Sequence, residues 1–171
     1  MKKIFSISFI ALILLSTATA FAQEDKSKRP SPPATFTTGI NGSEITINYS
    51  QPSVKGRTIG NEIATYGEVW RTGANEATTF ETSKEIKIEG KDLKAGKYAL
   101  FTIPGENEWT VILNGQPKQW GAFKYDETQD VLRVTVKPGK TKSFTEQMTF
   151  AQNGDNIILM WGDVQVGFGV K

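Results

Sequence analysis

The amino-acid sequence predicts an all-β protein, a single antiparallel β-sandwich of about 8–9 strands that follows a signal peptide. Hydrophobic and polar residues alternate with a period of two through most of the chain, as in strands with one buried face. Clusters of Gly, Asn, Asp and Pro separate these runs at short intervals, as hairpin turns require. Jelly-roll-like and immunoglobulin-like packing both fit, and a closed barrel is the second choice because strand number does not separate them.

The predicted strands follow one another with little room for helix. In chain order they are residues 44–49, 77–82, 85–89, 97–103, 109–113, 131–136, 144–150, 156–161 and 164–170. In the first of them Ile45, Ile47 and Tyr49 fall on one face, which we expect to be buried. Only residues 61–66 are suited to a helical turn, and Gly67 would end it.

The N-terminus has the three parts of a secretory signal peptide. Lys2 and Lys3 precede an apolar run, residues 4–15, and small residues with an Ala-x-Ala site end at Ala22. A membrane anchor is the alternative, but it needs about 20 apolar residues, more than this run provides. We expect residues 1–22 to be removed and the bacterial-looking protein to be periplasmic or extracellular, with no membrane span after cleavage.

Beyond the cleavage site the sequence predicts a short tether and one domain. Residues 23–35 are charged and then proline-rich, with little to bury, and we expect a disordered tether there. Residues 36–171 contain no internal linker and no repeat, so they form one β-sandwich domain.

The composition excludes several classes of function. The chain has no Cys and no His, which rules out thiol or His-based catalysis, disulfides and His- or Cys-ligated metals. It has 20 basic and 18 acidic residues, and cleavage removes Lys2 and Lys3 but no acid, leaving a neutral domain. A neutral domain without a Lys/Arg block is not expected to bind nucleic acid, and we predict neither a cofactor nor a metal.

The long connection between the first two predicted strands is the first candidate site. Connections longer than about 12–15 residues are uncommon unless they are functional or disordered. Residues 51–76 combine glycines with the polar candidates for ligand binding, Lys55, Arg57, Arg71, Asn75 and Glu76. The two arginines suit a carboxylate, a phosphate or a sugar acid. The alternative is that Arg71 pairs with Glu76 or Glu68 and only fixes the loop.

The four tryptophans offer aromatic surfaces on which a sugar ring could stack. Trp109 and Trp161 lie in predicted strands and are expected in the core. Trp70 and Trp120 lie in connections, so we consider them as ligand-binding residues, with ordinary packing as the alternative.

Two groups of carboxylates are candidates for catalysis or metal binding. The alternation places Glu146 on the apolar face of its strand, where a carboxylate must be paired, shifted in pKa or at the end of the sheet. A general acid or base is one interpretation. The alternatives are a bond to Arg or backbone N–H groups, or a slip of the register at a bulge. Residues 126–130 lack the spacing of a calcium-binding loop and are better explained as an acidic turn.

Long stretches of the sequence resemble a known family. They are YSQPSVKGR (49–57), YGEVWRTGANEATT (66–79), LKAGKYALFTIP (93–104), EWTVI (108–112) and QWGAFKY (119–125). In these stretches the chain is similar to DUF2911, a secreted bacterial family classed as a domain of unknown function. The resemblance implies an exported, β-rich, single-domain envelope protein, and no established catalytic residue accompanies it.

Taken together, these observations favour an exported, non-catalytic binding module for a glycan, a small anion or an envelope partner. One alternative is a structural or assembly protein of the envelope, working through strand addition. The other is a carboxylate-dependent enzyme acting on glycans, with Glu76 and either Glu146 or Asp126 as the pair. No catalytic motif is recognisable in the sequence.

Overall fold

A computed structural model describes residues 25–171 of the chain. This part contains ten strands, two short 3-10 helices (Lys26–Lys28 and Glu127–Gln129) and no α-helix. The strands are β1 (Pro33–Ile40), β2 (Ser43–Ser50), β3 (Thr78–Thr82), β4 (Ile86–Ile88), β5 (Lys91–Leu93), β6 (Gly96–Ile103), β7 (Trp109–Asn114), β8 (Asp130–Val136), β9 (Pro138–Asn153) and β10 (Asn156–Gly169). The predicted all-β class is confirmed.

Six of the strands form the first layer, in the spatial order β1-β2-β3-β6-β7-β8, with every neighbouring pair antiparallel. The hairpin β4–β5 lies between β3 and β6 in the chain, although β3 and β6 are paired neighbours in this sheet. Side chains of each strand point alternately to the two faces of this sheet, as the period-two pattern predicts. Ile45, Ile47 and Phe80 are fully buried on the inner face.

The second layer is built around the long hairpin β9–β10. An isolated bridge between Ile88 and Val170 and hydrogen bonds exchanged by Lys87 and Lys171 attach the β4–β5 hairpin to the end of β10. On the other edge, β9 pairs with residues 52–54, where Ser53 bridges Gln147. The two layers enclose the core, so the predicted antiparallel sandwich is also confirmed.

Large apolar side chains from both layers fill this core. Trp161 of β10 stacks on Trp70 at a centroid distance of 5.4 Å, and Trp109 of β7 meets Trp70 edge-on at 6.3 Å. Met148 and Leu113 are also completely buried. Because burying such a side chain contributes about 1.5–3 kcal/mol, this apolar interior is the main source of stability.

The structure differs from the predicted elements at four places. No helix forms over residues 61–66. β1 was missed because Thr38 interrupts its apolar inward face, and it begins at Pro33, inside the segment expected to be a tether. The short strand β5 was also missed. The runs 156–161 and 164–170 belong to one strand, β10, since a bulge at Gly162 (φ +61°) shifts the register without ending the pairing.

The N-terminal predictions concern residues that are only partly described. Within residues 25–35, the first 3-10 helix and the start of β1 make hydrogen bonds to the domain, which an unattached tether would not make. The predicted signal peptide, residues 1–22, lies outside the described residues. No helix within residues 25–171 has the length and hydropathy needed to cross a membrane.

A second, smaller apolar cluster lies on the outer face of the six-stranded sheet. Ala77, Ala99, Phe101 and Ile112 form it, and the connection between β7 and β8, residues 115–129, covers it with Ala122 and Tyr125. This connection therefore packs on the outer face of the six-stranded sheet.

Candidate functional site

An open groove lies on the outer face of the first layer, beside the β7–β8 connection. Its floor contains one residue from each of three adjacent strands, because Thr35 of β1 is in register with Asn48 of β2, which is in register with Thr79 of β3. The hydroxyl of Thr35 donates to Oδ1 of Asn48 at 2.8 Å. The floor therefore includes a row of hydroxyl and amide groups, beside apolar lining residues such as Ala34 and Ala77.

The walls of this groove come from parts of the chain that are distant in sequence. Lys118 and Trp120 of the β7–β8 connection form one side, and Lys26 and Glu76 contribute to the rest of the rim. The enclosed volume is about 490 Å³, which falls in the range of small-molecule sites, about 300–1,000 Å³. We call this feature the outer groove.

The wall carrying Trp120 is attached to the segment carrying Glu76 through the backbone. Glu76 and Trp120 form an isolated antiparallel bridge. The N–H of Ala77 donates to the carbonyl of Gln119 at 3.0 Å, and the N–H of Gly121 donates to the carbonyl of Asn75 at 3.1 Å. These bonds fix the position of the indole relative to the carboxylate.

Asn114, fully buried at the end of β7, anchors the start and the end of the same connection. Its amide nitrogen donates to the carbonyl of Asp126 (2.9 Å) and to Oδ1 of Asp130 (2.8 Å). Its amide oxygen accepts from the N–H of Gln116 (3.0 Å) and from Nε2 of Gln119 (3.3 Å). One side chain thus holds the connection at several points.

A polar cluster fastens the far end of the connection to β8. The Tyr125 hydroxyl donates to Oδ2 of Asp130 at 2.6 Å and accepts from Arg133, whose Nε donates to the same Asp130 oxygen at 2.6 Å. Burial, together with the bond to Asp130, raises the pKa of Tyr125 to about 12. Tyr125 therefore stays protonated, and the cluster serves to hold the loop.

Trp120 is the aromatic side chain at the rim of the outer groove. It is 55% exposed, far more than a tryptophan of the core. The guanidinium of Arg29 lies 5.8 Å from its ring centroid, within the range of a cation–π contact. Arg29 therefore lies over one face of the indole, and the remaining exposed surface of the ring is accessible to other molecules.

Glu76 is held by two basic residues from the N-terminal segment. Nζ of Lys26 lies 2.7 Å from Oε1, and NH1 of Arg29 lies 2.9 Å from Oε2. Desolvation works to raise the pKa of Glu76, but the hydrogen bond from Lys26 and the charges of Lys26 and Arg29 outweigh it and hold the pKa below its usual value. The carboxylate is therefore ionised at neutral pH.

Two polar atoms of groove-lining residues are left without a partner. Within the described part of the chain, neither the hydroxyl of Thr79 nor the side-chain oxygen of Gln119 makes a hydrogen bond. Nε2 of Gln119 is already used, by Asn114 and by the carbonyl of Gln116. Both atoms are buried from solvent, so they are unpaired polar atoms beneath the groove surface and are not groups exposed in it.

Of the predicted ligand-binding residues, Glu76 and Trp120 line the outer groove and the others do not. Asn75 and Arg71 are close to it: Asn75 donates to the carbonyl of Ser31 at 3.0 Å, and its own carbonyl accepts from Arg71 at 3.2 Å. Trp70 belongs to the core, and its indole N–H donates to the carbonyl of Gly73.

Lys55 and Arg57 lie away from the groove, in the segment next to β9. The guanidinium of Arg57 donates to the carbonyls of Ser53 (2.8 Å) and Val54 (3.1 Å), which fixes its own loop. The backbone N–H of Lys55 donates to Glu146 at 2.8 Å. The structure therefore does not bring the two predicted arginines together at one anion site.

The predicted ion pair of Arg71 is also absent. No carboxylate of residues 25–171 lies within salt-bridge distance of its guanidinium, and Glu76 is taken by Lys26 and Arg29 instead. Burial lowers the pKa of Arg71. The side chain nevertheless fixes the loop, through the carbonyl of Asn75 rather than through a charge.

Glu146, considered as a possible buried carboxylate, is exposed, and the alternative of a bond to a backbone N–H is the one that the structure shows. The alternation of β9 holds for the buried Met148 and Phe150, but the pairing with β10 shifts register between Thr149 and Thr145, next to Glu146. The Glu146 carboxylate caps the N–H of Lys55 instead.

The carboxylates considered for catalysis do not meet. Glu146 belongs to the second layer, and the side chain of Asp126 accepts from the N–H of Thr128 at the start of the second 3-10 helix. Within residues 25–171 no three carboxylates cluster closely enough to hold a metal ion. Glu76 is the single described carboxylate that lines the outer groove.

Several lining residues were not singled out from the sequence. Lys26, Lys118 and the floor residues Thr35, Asn48 and Thr79 carry no motif. The outward polar positions of the alternating strands were visible, but their meeting in one row depends on strand register, which a single sequence does not specify.

Comparison with protein families accounts for nearly all of the described chain. The family model described as "Protein of unknown function (DUF2911)" matches residues 31–170. The chain belongs to the DUF2911 family. No curated protein and no solved structure matches this DUF2911 domain. The match includes the floor of the outer groove, Glu76 and Trp120, whereas Lys26 and Arg29 precede it.

Proposed function

We propose that this DUF2911 domain is an exported, non-catalytic binding module and that the outer groove holds a segment of a saccharide chain. The observation that carries the proposal is the exposed indole of Trp120 at the rim of a groove of about 490 Å³ with a hydroxyl and amide floor. Export is proposed from the signal-peptide pattern of residues 1–22.

The chemistry of the groove suits a sugar better than an apolar ligand. A sugar ring has an apolar face of C–H groups, which fits against an aromatic ring, and a rim of hydroxyl groups, which need hydrogen-bond partners. Trp120 offers the first, and Thr35 and Asn48 offer the second.

The absence of a second carboxylate supports binding without hydrolysis. Glycoside hydrolases use two carboxyl groups separated by about 5–9.5 Å, one of them kept protonated to act as an acid. Among the described residues Glu76 alone lines the groove, and its pKa is lowered, opposite to what a general acid requires.

The proposal is tested by titrating the purified protein with neutral and acidic hexasaccharides in a calorimeter. We expect at least one to bind and Trp120→Ala to weaken that binding at least tenfold. Phe123→Ala is the matched control, since Phe123 is 83% exposed in the same connection but does not line the groove. Failure of every hexasaccharide to bind, or equal losses in both variants, would overturn the proposal.

A further inference from the structure

The outer groove is more positively charged than the rest of the protein. Lys26 and Lys118 line it, and Arg29 lies against its Trp120 and Glu76. Two lysines therefore line a groove in which Glu76 is the single described carboxylate, and Arg29 lies beside them. By contrast, residues 25–171 contain 18 basic and 17 acidic side chains, because Lys2, Lys3 and Glu24 precede them in the sequence.

The carboxylate of Glu76 does not neutralise both lysines of the groove. It is shared between Lys26 and Arg29. The side chain of Lys26 is 54% exposed, and its ammonium group has three donors, of which Glu76 takes one. Donors of Lys26 therefore remain open to the groove and the solvent.

Lys118 is a cation whose charge is not neutralised locally. It is exposed on the wall of the groove, two positions before Trp120, and no carboxylate of residues 25–171 lies within salt-bridge distance of it. A ligand lying against the indole of Trp120 would therefore have this ammonium group beside it. A positive rim next to an aromatic surface favours an anionic partner.

We infer that the preferred ligand is an acidic saccharide, one whose sugar rings carry a carboxylate, and that Lys118 contacts this group. The inference rests on the proposed function of the outer groove and names the class of saccharide. The ring face lies against Trp120, the hydroxyl groups meet the floor, and the carboxylate meets the uncompensated ammonium of Lys118 with Lys26 nearby.

The test compares saccharides that differ only in this carboxylate. Mannohexaose and hexamannuronate share their linkage and differ at C6, and galactohexaose with hexagalacturonate forms a second pair. Each is titrated at low and at roughly physiological ionic strength, near 0.15 M. For at least one pair we expect the uronate to bind at least tenfold more tightly at low salt, with the preference shrinking as salt is added.

Lys118→Gln separates this contact from general charge attraction. We expect it to reduce the preference for the uronate, measured as the ratio of uronate affinity to neutral affinity, at least threefold. Lys124→Gln is the control, because Lys124 is exposed in the same connection but does not line the groove. Both variants change exposed side chains and are expected to fold.

The outcomes distinguish the two proposals. Equal or tighter binding of the neutral hexasaccharides overturns the acidic ligand and leaves the saccharide groove standing. A uronate preference that Lys118→Gln and Lys124→Gln reduce equally overturns the assigned contact. If neither member of either pair binds, both the inference and the proposed function fail.

Discussion

Glu76 and Trp120 are paired by an isolated antiparallel bridge, although they lie in different connections of the sandwich. The bridge places a carboxylate held by two cations next to an indole that is 55% exposed. The outer groove is therefore built at a junction of two loops whose backbones are joined by hydrogen bonds. Substitutions in the two loops are therefore expected to change stability and saccharide binding in different ways.

Replacing Glu76 by Gln is expected to lower stability at neutral pH and to have less effect in acid. The folded protein holds the pKa of Glu76 below its unfolded value, so its ionised form stabilises the fold above the usual glutamate pKa, about 4.3. That contribution is lost as the pH falls through the lower, folded pKa. Because the side chain is 39% exposed, we expect less than about 1 kcal/mol.

The measurement is urea unfolding of wild type and Glu76→Gln at neutral and at acidic pH. Glu68→Gln is the control, since Glu68 is exposed and makes no ion pair within the described chain. A stability difference for Glu76→Gln that stays constant from neutral to acidic pH would contradict the assigned ion pairs.

Asn114→Ala is expected to lower the free energy of unfolding by about 1–3 kcal/mol, because it removes a buried amide and leaves its hydrogen-bond partners without it. The side chain is completely buried and bonds residues at both ends of the β7–β8 connection. Chemical unfolding measures the loss, and saccharide titration should show weaker binding because Trp120 lies in this connection. Asn107→Ala, at an exposed position, should stay within about 0.5 kcal/mol. Wild-type stability of the Asn114 variant would refute the anchoring role.

Trp70→Ala is expected to destabilise the protein by about 3–5 kcal/mol. Its ring stacks on Trp161 and meets Trp109 inside the core, so its removal opens a cavity. Trp120→Ala removes an equally large side chain at the surface and should cost less than about 1 kcal/mol. Thermal melting of the two variants compares them directly, and similar losses would argue against the division into core and groove tryptophans.

Arg71→Ala should lower the melting temperature by a few degrees. Its guanidinium donates to the carbonyl of Asn75, next to the junction with residues 119–121, and such a bond is worth about 1 kcal/mol, or about 2–4 °C for a domain of this size. Lys55→Ala serves as the reference, because that side chain is exposed and makes no bond within the described residues. An unchanged melting temperature in Arg71→Ala would show that Arg71 does not stabilise the loop.

The sequence was sufficient for the fold class, but less so for the site. Strict alternation in β2 correctly predicted that Ile45 and Ile47 are buried, because one face of a strand must meet the core. The same rule failed at Glu146, where the pairing of β9 with β10 shifts register and alternation no longer predicts burial.

For the candidate site, local sequence identified suitable types of residue but could not distinguish those that line the groove from those that pack in the core. Trp70 and Trp120 both lie outside named strands, yet one is packed between other tryptophans and the other is exposed. The difference depends on tertiary contacts. Lys26 and Thr35 reach the groove only because Asp25 to Thr35 pack on the domain and β1 pairs with β2, which no local pattern specifies.

The attachment of the β7–β8 connection by Asn114 also determines how the groove meets its ligand. Wall and floor are joined by buried hydrogen bonds, so the cleft has its shape before anything enters it. The conformational entropy lost on binding is then mainly that of the saccharide. The protein backbone should shift by less than about 1 Å. Such a pre-organised cleft selects among ligands by fit instead of adapting to each of them.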